Sequence, residues 1–219
     1  MDITGVTTSV LSRVRGRVSL SALAFLAAAG VVATTVSGVV AIPQAAAAPC
    51  PDVQVFFGRG TDEPPGLGQV GDVFVQNLRD RTGRDIAASG VNYPAHQDIA
   101  PGVSDLTAQL NSFAGRCPNT RIVVGGYSLG AAVANQVLNS QLAPGVDDRI
   151  AAVALFGNAS RLLNVPLTPG PEFAGRFIDM CNPGDPICSG GPFAPSHLQL
   201  AYVAGGGVNA AVDFTISKL

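Results

Sequence analysis

The sequence is poor in charged residues and in histidine. Only 13% of its 219 residues are charged, about half of the roughly 25% found in ordinary soluble domains. So small a charged fraction excludes disordered chains and coiled coils, and 13 basic against 15 acidic residues exclude a basic nucleic-acid-binding surface. Two histidines and the lack of any C-x-x-C pair argue against a zinc site. We therefore expect no metal and no cofactor.

Hydrophobic residues are abundant, at 47% of the chain, and the N-terminus explains part of this excess. Arg13, Arg15 and Arg17 precede an uncharged run, 18–42, and an A-x-A exit ends at residue 47. This order is typical of an export signal. We predict a cleaved signal peptide, 1–47, and one mature domain, 48–219, that is secreted to the exterior or the cell wall. A retained membrane anchor is the alternative, because 25 uncharged residues are long enough to cross a bilayer.

The four cysteines, Cys50, Cys117, Cys181 and Cys188, all lie in the predicted mature domain. An even number of cysteines in an oxidising compartment indicates two disulfides, and three pairings are possible. The six residues between Cys181 and Cys188 can close a small loop. This favours that pair and leaves Cys50 to bond Cys117.

Short apolar runs alternate with longer amphipathic ones along the mature domain. The predicted strands are 52–57, 86–92, 121–125, 150–156 and 177–180. The predicted helices are 70–81, 103–113 with Ser104 as a cap, 129–142, and a final helix in the tail 201–219 that is entered at the glycines 205–207. This alternation predicts a parallel sheet with helices on both faces, whose ligand site lies beyond the C-terminal ends of the strands.

A candidate nucleophile follows the third predicted strand. The residues Gly126-Tyr127-Ser128-Leu129-Gly130 form a G-x-S-x-G motif between that strand and an alanine-rich helix. In this context the small residues allow a sharp turn that projects the serine hydroxyl at the top of the sheet. A tight glycine turn with an incidental serine is the alternative interpretation.

A serine becomes a good nucleophile only when a base accepts its proton. His197 follows Ser128 in the chain order expected for this kind of site, and imidazole suits base chemistry near neutral pH. His96 precedes Ser128, and we interpret it as a solvated loop residue.

The acidic partner of the base should lie between Ser128 and His197 in the sequence. The candidates there are Asp147, Asp148, Glu172, Asp179 and Asp185. The first two precede a strand and Asp179 lies inside one, whereas Asp185 follows a strand within the Cys181–Cys188 loop. A disulfide across that loop would hold the carboxylate still, as an orienting acid requires. Taken alone, Asp185 would be an ordinary turn residue.

An oxyanion hole needs fixed hydrogen-bond donors. The backbone N–H of Leu129 is one candidate, and Thr61, in the loop after the first strand, could supply its N–H and its hydroxyl. The same loop sequence also suits a plain turn.

With these residues in place, the sequence resembles the cutinase family of secreted serine esterases, in particular its actinobacterial cutinase-like branch. The shared segments are 57–61 with 63–68, Tyr93-Pro94-Ala95, 125–131, and the C-x-x-x-D-x-[IV]-C segment 181–188. The resemblance implies an α/β-hydrolase fold, a three-layer sandwich around a five-stranded parallel sheet without a large lid. It assigns Ser128 as nucleophile, Asp185 as acid, His197 as base and Thr61 to the oxyanion hole, and it implies the same two disulfides. Leu129 departs from the glutamine common at that position.

The expected function is hydrolysis of short- to medium-chain carboxylic esters through an acyl-enzyme. The alternatives are an envelope lipid or glycolipid esterase, a phospholipase or an acetylxylan esterase on the same residues, or a catalytically weak envelope-binding protein. We expect the apolar residues of two loops, 162–167 and 192–195, to line an acyl groove, with Leu167 and Phe193 as its leading candidates. Ordinary loop packing is the alternative interpretation. The expected partner is a lipid, polyester or acylated-sugar ester rather than a nucleic acid, with no membrane span left after signal cleavage and a monomeric chain.

Overall fold

The computed structural model describes residues 49–96 and 98–219, so the predicted signal segment 1–47 lies outside the described residues. Five parallel strands form one sheet in the order β2-β1-β3-β4-β5. The strands are β1 Val53–Gly58, β2 Ile86–Gly90, β3 Arg121–Tyr127, β4 Ile150–Phe156 and β5 Phe177–Met180. The predicted bounds of the fourth and fifth strands are confirmed.

Seven α-helices connect the strands and cover the sheet within the described residues. They are α1 Gly68–Thr82, α2 Ala100–Arg116, α3 Leu129–Val137, α4 Val146–Arg149, α5 Ser160–Leu163, α6 Gln199–Ala204 and α7 Gly207–Ile216. The helices α2 and α3 pack on one face of the sheet, and α1, α6 and α7 pack on the other. The predicted three-layer α/β-hydrolase sandwich is therefore confirmed. No helix among the described residues has both the length and the apolar character needed to cross a membrane.

The interior strand β4 shows that the sheet is covered by helices on both of its faces. All seven of its residues are buried, because apolar side chains of a parallel strand meet a helix layer on each face. Phe57, Phe74 and Phe156 pack together on one side. Phe56 meets Phe113 edge to face on the other side.

Several predicted helix boundaries differ from the observed ones. The helix α3 ends at Val137 rather than at residue 142, because Asn139 Nδ2 and Ser140 Oγ donate to the carbonyls of Asn135 and Val137 and so compete with further helical turns. The helix α2 starts at Ala100, whose N–H donates to Asp98 Oδ1 over 2.9 Å, and Ser104 does not cap it. The final helix predicted to be entered at the glycines 205–207 is observed as α7, which begins at Gly207. The sequence did not predict the separate helix α6 before it, and Gly206, with a left-handed φ of 84°, divides the two.

Two disulfides join the four cysteines. Cys50 bonds Cys117 across 67 residues, and Cys181 bonds Cys188 across 7 residues. The first ties the beginning of the described chain to the end of α2. The second closes the loop that follows β5, at the C-terminal edge of the sheet.

We predict that replacing Cys50 and Cys117 together by Ser lowers the free energy of unfolding by about 4 kcal/mol, because the bond closes a long loop in the unfolded chain. Urea unfolding under non-reducing conditions measures this loss. The Cys181→Ser/Cys188→Ser pair is the matched control, and its shorter loop gives a smaller loss of about 2 kcal/mol. Equal losses in the two variants would contradict the loop-length explanation.

Candidate active site

The turn between β3 and α3 forces Ser128 into a strained conformation, with φ 54° and ψ −115°. Two glycines make that turn possible, because a Cβ on Gly126 would lie 2.3 Å from the carbonyl oxygen of Gly130, and a Cβ on Gly130 would lie 2.1 Å from that of Gly58. The N–H of Ser128 donates to the Phe156 carbonyl over 2.8 Å, which ties the turn to β4. The strained backbone is typical of a serine held at the top of a hydrolase sheet.

His197 lies beside this serine, at the end of a 3₁₀ turn spanning Ala194–His197. Its Nε2 is 2.9 Å from Ser128 Oγ, and its Nδ1 is 2.8 Å from Asp185 Oδ2. An ionised carboxylate can only accept, so Nδ1 carries the proton that it donates to Asp185, and Nε2 is free to accept from the serine hydroxyl. The three side chains predicted from the sequence, Ser128, His197 and Asp185, therefore come together in one hydrogen-bonded line.

Two neighbours fix the imidazole ring of His197. The Tyr127 ring stacks against it with 5.3 Å between centroids, and Tyr127 Oη donates to the His197 carbonyl. On another side lies Gly157, where a Cβ would stand 2.9 Å from His197 Cε1 and 3.0 Å from Tyr202 Oη. The imidazole ring thus occupies a narrow slot between Tyr127 and Gly157, and a side chain at residue 157 would collide with it.

The carboxylate of Asp185 has no solvent exposure. Its Oδ1 accepts from the N–H groups of Ile187 and Cys188, at 2.7 and 3.3 Å, and its Oδ2 accepts from Tyr202 and His197. Burial by itself would raise the pKa of Asp185, but the hydrogen bonds from Tyr202, His197 and Ile187 outweigh it and hold that pKa below its usual value. The carboxylate therefore stays ionised beside the imidazole.

The other acidic candidates lie away from the imidazole. Asp147 and Asp148 are in α4, before β4, at the opposite edge of the sheet. Asp179, on β5, accepts from Asn158 Nδ2 over 3.2 Å. Neither the helix nor the strand brings these carboxylates to His197.

The loop that carries Thr61 is held by the buried side chain of Arg59. Its guanidinium donates to three backbone carbonyls, those of Glu63 at 2.8 Å, Val91 at 3.1 Å and Tyr93. Tyr93 Oη in turn donates to the Arg59 carbonyl over 2.5 Å, and burial raises the pKa of Tyr93, so this hydroxyl remains a neutral donor. These bonds lock the loop after β1 to the loop after β2.

The carboxylate of Glu63 braces the same loop from within. It accepts from the N–H of Gly60 over 2.6 Å and from the N–H of Gln69 over 2.9 Å. Thr61 and Leu129 line one pocket with Ser128, and Leu129 is the first residue of α3, where backbone N–H groups have no partner within the helix. The two residues expected to form an oxyanion hole thus lie beside Ser128, and the loop that carries Thr61 is held by Arg59 and Glu63.

The pocket beside Ser128 has a volume of about 190 Å³ and a mainly apolar lining. Besides Thr61, Ser128 and Leu129, its lining residues are His96, Ala159, Leu162, Leu163 and Ile187. Phe193 and Leu167, predicted to line the groove, are not among them and are 58% and 61% exposed. Of the apolar segment 162–167 expected at the groove, the structure brings Leu162 and Leu163 of α5 to this pocket.

His96 lies at the rim of this pocket. It is exposed, as expected for a solvated loop residue, but its Nδ1 is 2.8 Å from Asp62 Oδ1, and the Asp62 N–H donates to the Ala95 carbonyl. The sequence did carry a signal for this placement, because His96 follows β2 and strand ends meet at the same edge of a parallel sheet. Among the described residues, no group of three His, Cys, Asp or Glu side chains is arranged to hold a metal ion.

Comparisons with known proteins show which proteins this chain is similar to. The model of the family described as Cutinase matches residues 49–219. The probable carboxylesterase Culp2 of Mycobacterium tuberculosis is 41% identical over 94% of this chain and 97% of its own, and the phospholipase Culp4 of the same species is 43% identical over 90% and 92%. Among solved structures, Trichoderma reesei cutinase in complex with a phosphonate inhibitor superposes with a TM-score of 0.57 and 31% identity, over 76% of this chain and 78% of that one.

We predict that Gly157→Ala slows labelling of Ser128 by a fluorophosphonate about 100-fold, because a displacement of the imidazole by about 1 Å is enough for such a loss. The added methyl group would collide with His197. Labelling followed by mass spectrometry measures the rate.

The matched control is Gly83→Ala. Gly83 also has a positive φ, 64°, but a Cβ there meets nothing within 4 Å. Both variants should lose about 1 kcal/mol of stability from the left-handed backbone, and only Gly157→Ala should lose reactivity. An unchanged labelling rate in Gly157→Ala would contradict the slot described for His197.

Proposed function

Because the chain belongs to the cutinase family of carboxylic ester hydrolases, we propose that it cleaves short- to medium-chain carboxylic esters with Ser128 as nucleophile, His197 as base and Asp185 as the orienting acid. The observation that carries this proposal is the continuous hydrogen-bonded line from Ser128 Oγ through the imidazole to the buried carboxylate, with distances of 2.9 and 2.8 Å.

The first half of the proposed reaction forms an acyl-enzyme. Ser128 Oγ attacks the ester carbonyl carbon while His197 Nε2 takes the hydroxyl proton, and Asp185 stabilises the imidazolium that results. The negative charge on the carbonyl oxygen is met by the Leu129 N–H and by the N–H and hydroxyl of Thr61. When the tetrahedral intermediate collapses, the C–O bond to the alcohol breaks and the imidazolium returns its proton to the leaving oxygen.

The second half releases the acid. A water molecule loses a proton to His197 Nε2 and attacks the acyl carbon, and the second intermediate expels Ser128 Oγ, which regains the proton. The oxyanion donors act in both halves. The departure at Leu129 leaves this chemistry intact, since the donor at that position is the backbone N–H rather than the side chain.

The size of the pocket supports a short or medium acyl chain. Its volume of about 190 Å³ is below the 300–1,000 Å³ of ordinary ligand sites, and its aliphatic lining suits hydrocarbon. A lipid ester is the second candidate, because the phospholipase Culp4 is 43% identical to this chain over most of its length. Acetylated sugars and a weakly catalytic binding role remain alternatives that an activity panel separates.

The proposed site of action is outside the cell or in its wall. Two disulfides among the described residues support an oxidising compartment, and the expected signal peptide would deliver the domain there.

We predict that Ser128→Ala abolishes hydrolysis of p-nitrophenyl butyrate, with a fall in kcat of at least about 10⁴-fold because the attacking oxygen is lost. Release of p-nitrophenol at 25 °C measures the rate. Ser140→Ala, in the turn after α3, is the control and should retain wild-type activity. Appreciable turnover by a folded Ser128→Ala protein would overturn the assignment of the nucleophile.

We predict that Leu162→Ala lowers kcat/KM for butyryl and hexanoyl esters by about three- to tenfold while changing the acetyl ester little, because lost apolar contact costs about 1 kcal/mol for each methylene no longer covered. Leu167→Ala is a matched control. Both leucines are 61% exposed, but only Leu162 lines the pocket beside Ser128.

The same comparison of acetyl, butyryl and hexanoyl esters also tests whether the exposed residues Leu167 and Phe193 contact the acyl chain. If Leu167→Ala and Phe193→Ala change the chain-length preference and Leu162→Ala does not, the acyl chain lies along the outer loops instead of in the pocket. The same variants assayed with a short-chain phospholipid compare the two candidate substrate classes.

A further inference from the structure

Tyr202 lies directly behind the acid of the proposed site. Its side chain has no solvent exposure, and its Oη donates to Asp185 Oδ2 over 2.6 Å. The same carboxylate oxygen accepts from His197 Nδ1 over 2.8 Å. The tyrosine hydroxyl and the imidazole therefore share one acceptor atom.

The remaining contacts of the hydroxyl join it to the disulfide loop. The N–H of Asn182 lies 3.4 Å from Tyr202 Oη, and Cys188 Sγ lies 3.6 Å from it. The ring packs against Phe156 of β4 and Tyr127 of β3. The hydroxyl is thus fixed by the sheet, by α6 and by the Cys181–Cys188 loop, and it cannot turn away from Asp185 without leaving a buried donor unpaired.

The ionisable groups around this oxygen are few. His197 and Tyr202 contact Asp185, Tyr127 stacks on the imidazole, and Glu63 lies beyond Tyr127 at Gly60. Burial raises the pKa of both Tyr127 and Tyr202, so neither hydroxyl loses its proton in the range where an imidazole titrates. His96 also lines the pocket beside Ser128, but the acid that its imidazole contacts is Asp62 and not Asp185.

We propose that Tyr202 is a positioning residue of the catalytic acid, whose hydroxyl holds Asp185 Oδ2 against His197 and limits how strongly that carboxylate attracts the imidazole proton. The proposal rests on the catalytic roles given above. A hydrogen bond to a carboxylate disperses its charge and lowers its basicity. With the Tyr202 hydroxyl present, His197 gives up its proton at a lower pH than it would without that hydroxyl. The neutral imidazole needed to activate Ser128 is then available over a wider range of pH.

The direct experiment is Tyr202→Phe, which deletes the hydroxyl and keeps the ring. Loss of this donor leaves Oδ2 more basic and stabilises the imidazolium, so the acid limb of the kcat/KM profile for p-nitrophenyl butyrate should move up by about half a pH unit or more. The plateau at higher pH should fall less than about tenfold, since all reacting groups remain. A merely structural tyrosine would lower the plateau and leave the acid limb in place.

The matched control is Tyr93→Phe. It also removes a buried tyrosine hydroxyl, but that hydroxyl donates to the neutral carbonyl of Arg59. We expect the acid limb of this variant to coincide with that of the wild type. A Tyr202→Phe profile whose acid limb also coincides with the wild type would overturn the proposal.

A second measurement separates the failure of this proposal from failure of the proposed function. The chain has two histidines, so the NMR titration midpoint of the His197 imidazole can be followed without any substrate. A midpoint that rises in Tyr202→Phe supports the positioning role even if no ester is cleaved, and an unmoved midpoint overturns it even if the wild type is an active esterase.

Should Tyr202→Phe fail to fold, 3-fluorotyrosine in place of Tyr202 keeps the shape and strengthens the donor. The acid limb and the NMR midpoint should then move to lower pH. Movement to higher pH, or no movement, would overturn the proposal.

Discussion

The buried negative charge of Asp185 is the constraint on which the rest of the site depends. A carboxylate without solvent exposure is stable as an anion only if hydrogen-bond donors replace the lost water. Two donors are backbone N–H groups of its own loop, and the other two come from Tyr202 in α6 and from His197. The disulfide loop, the helix α6 and the orientation of the imidazole therefore all serve to place hydrogen-bond donors around the buried Asp185 anion.

On the other side of Ser128, the loop that carries Thr61 is also held by hydrogen bonds between side chains and the backbone. Arg59 donates to three carbonyls of two loops, and Glu63 accepts from two N–H groups, so the loop carrying Thr61 is fixed before any ligand arrives. Donors that are already in place stabilise a developing oxyanion most effectively, because no reorganisation is needed during the reaction. Both halves of the site thus depend on buried charged side chains whose partners lie mostly on the backbone.

The fold was largely predictable because its signals are local. A continuous apolar run marks β4 with both of its bounds, since a strand covered on two faces needs no polar residue. The end of α3 was not predictable from periodicity, because the side chains of Asn139 and Ser140 decide it through bonds to the preceding turn. The split of the tail into α6 and α7 likewise depends on the left-handed conformation of Gly206.

The sequence by itself determined the chemistry available: a serine in a glycine turn, one histidine after it, an aspartate in a short cysteine loop, and their order along the chain. Only the tertiary structure decided the distances between them, because Ser128 and His197 are 69 residues apart and meet through packing at one edge of the sheet. It also decided that, of the apolar loops expected at the groove, Leu162 and Leu163 line the pocket beside Ser128 whereas Leu167 and Phe193 do not. Likewise, only the tertiary structure brings Tyr202 to Asp185. Such contacts depend on how α5 and α6 pack against the sheet, and the spacing of residues along the sequence does not predict this packing.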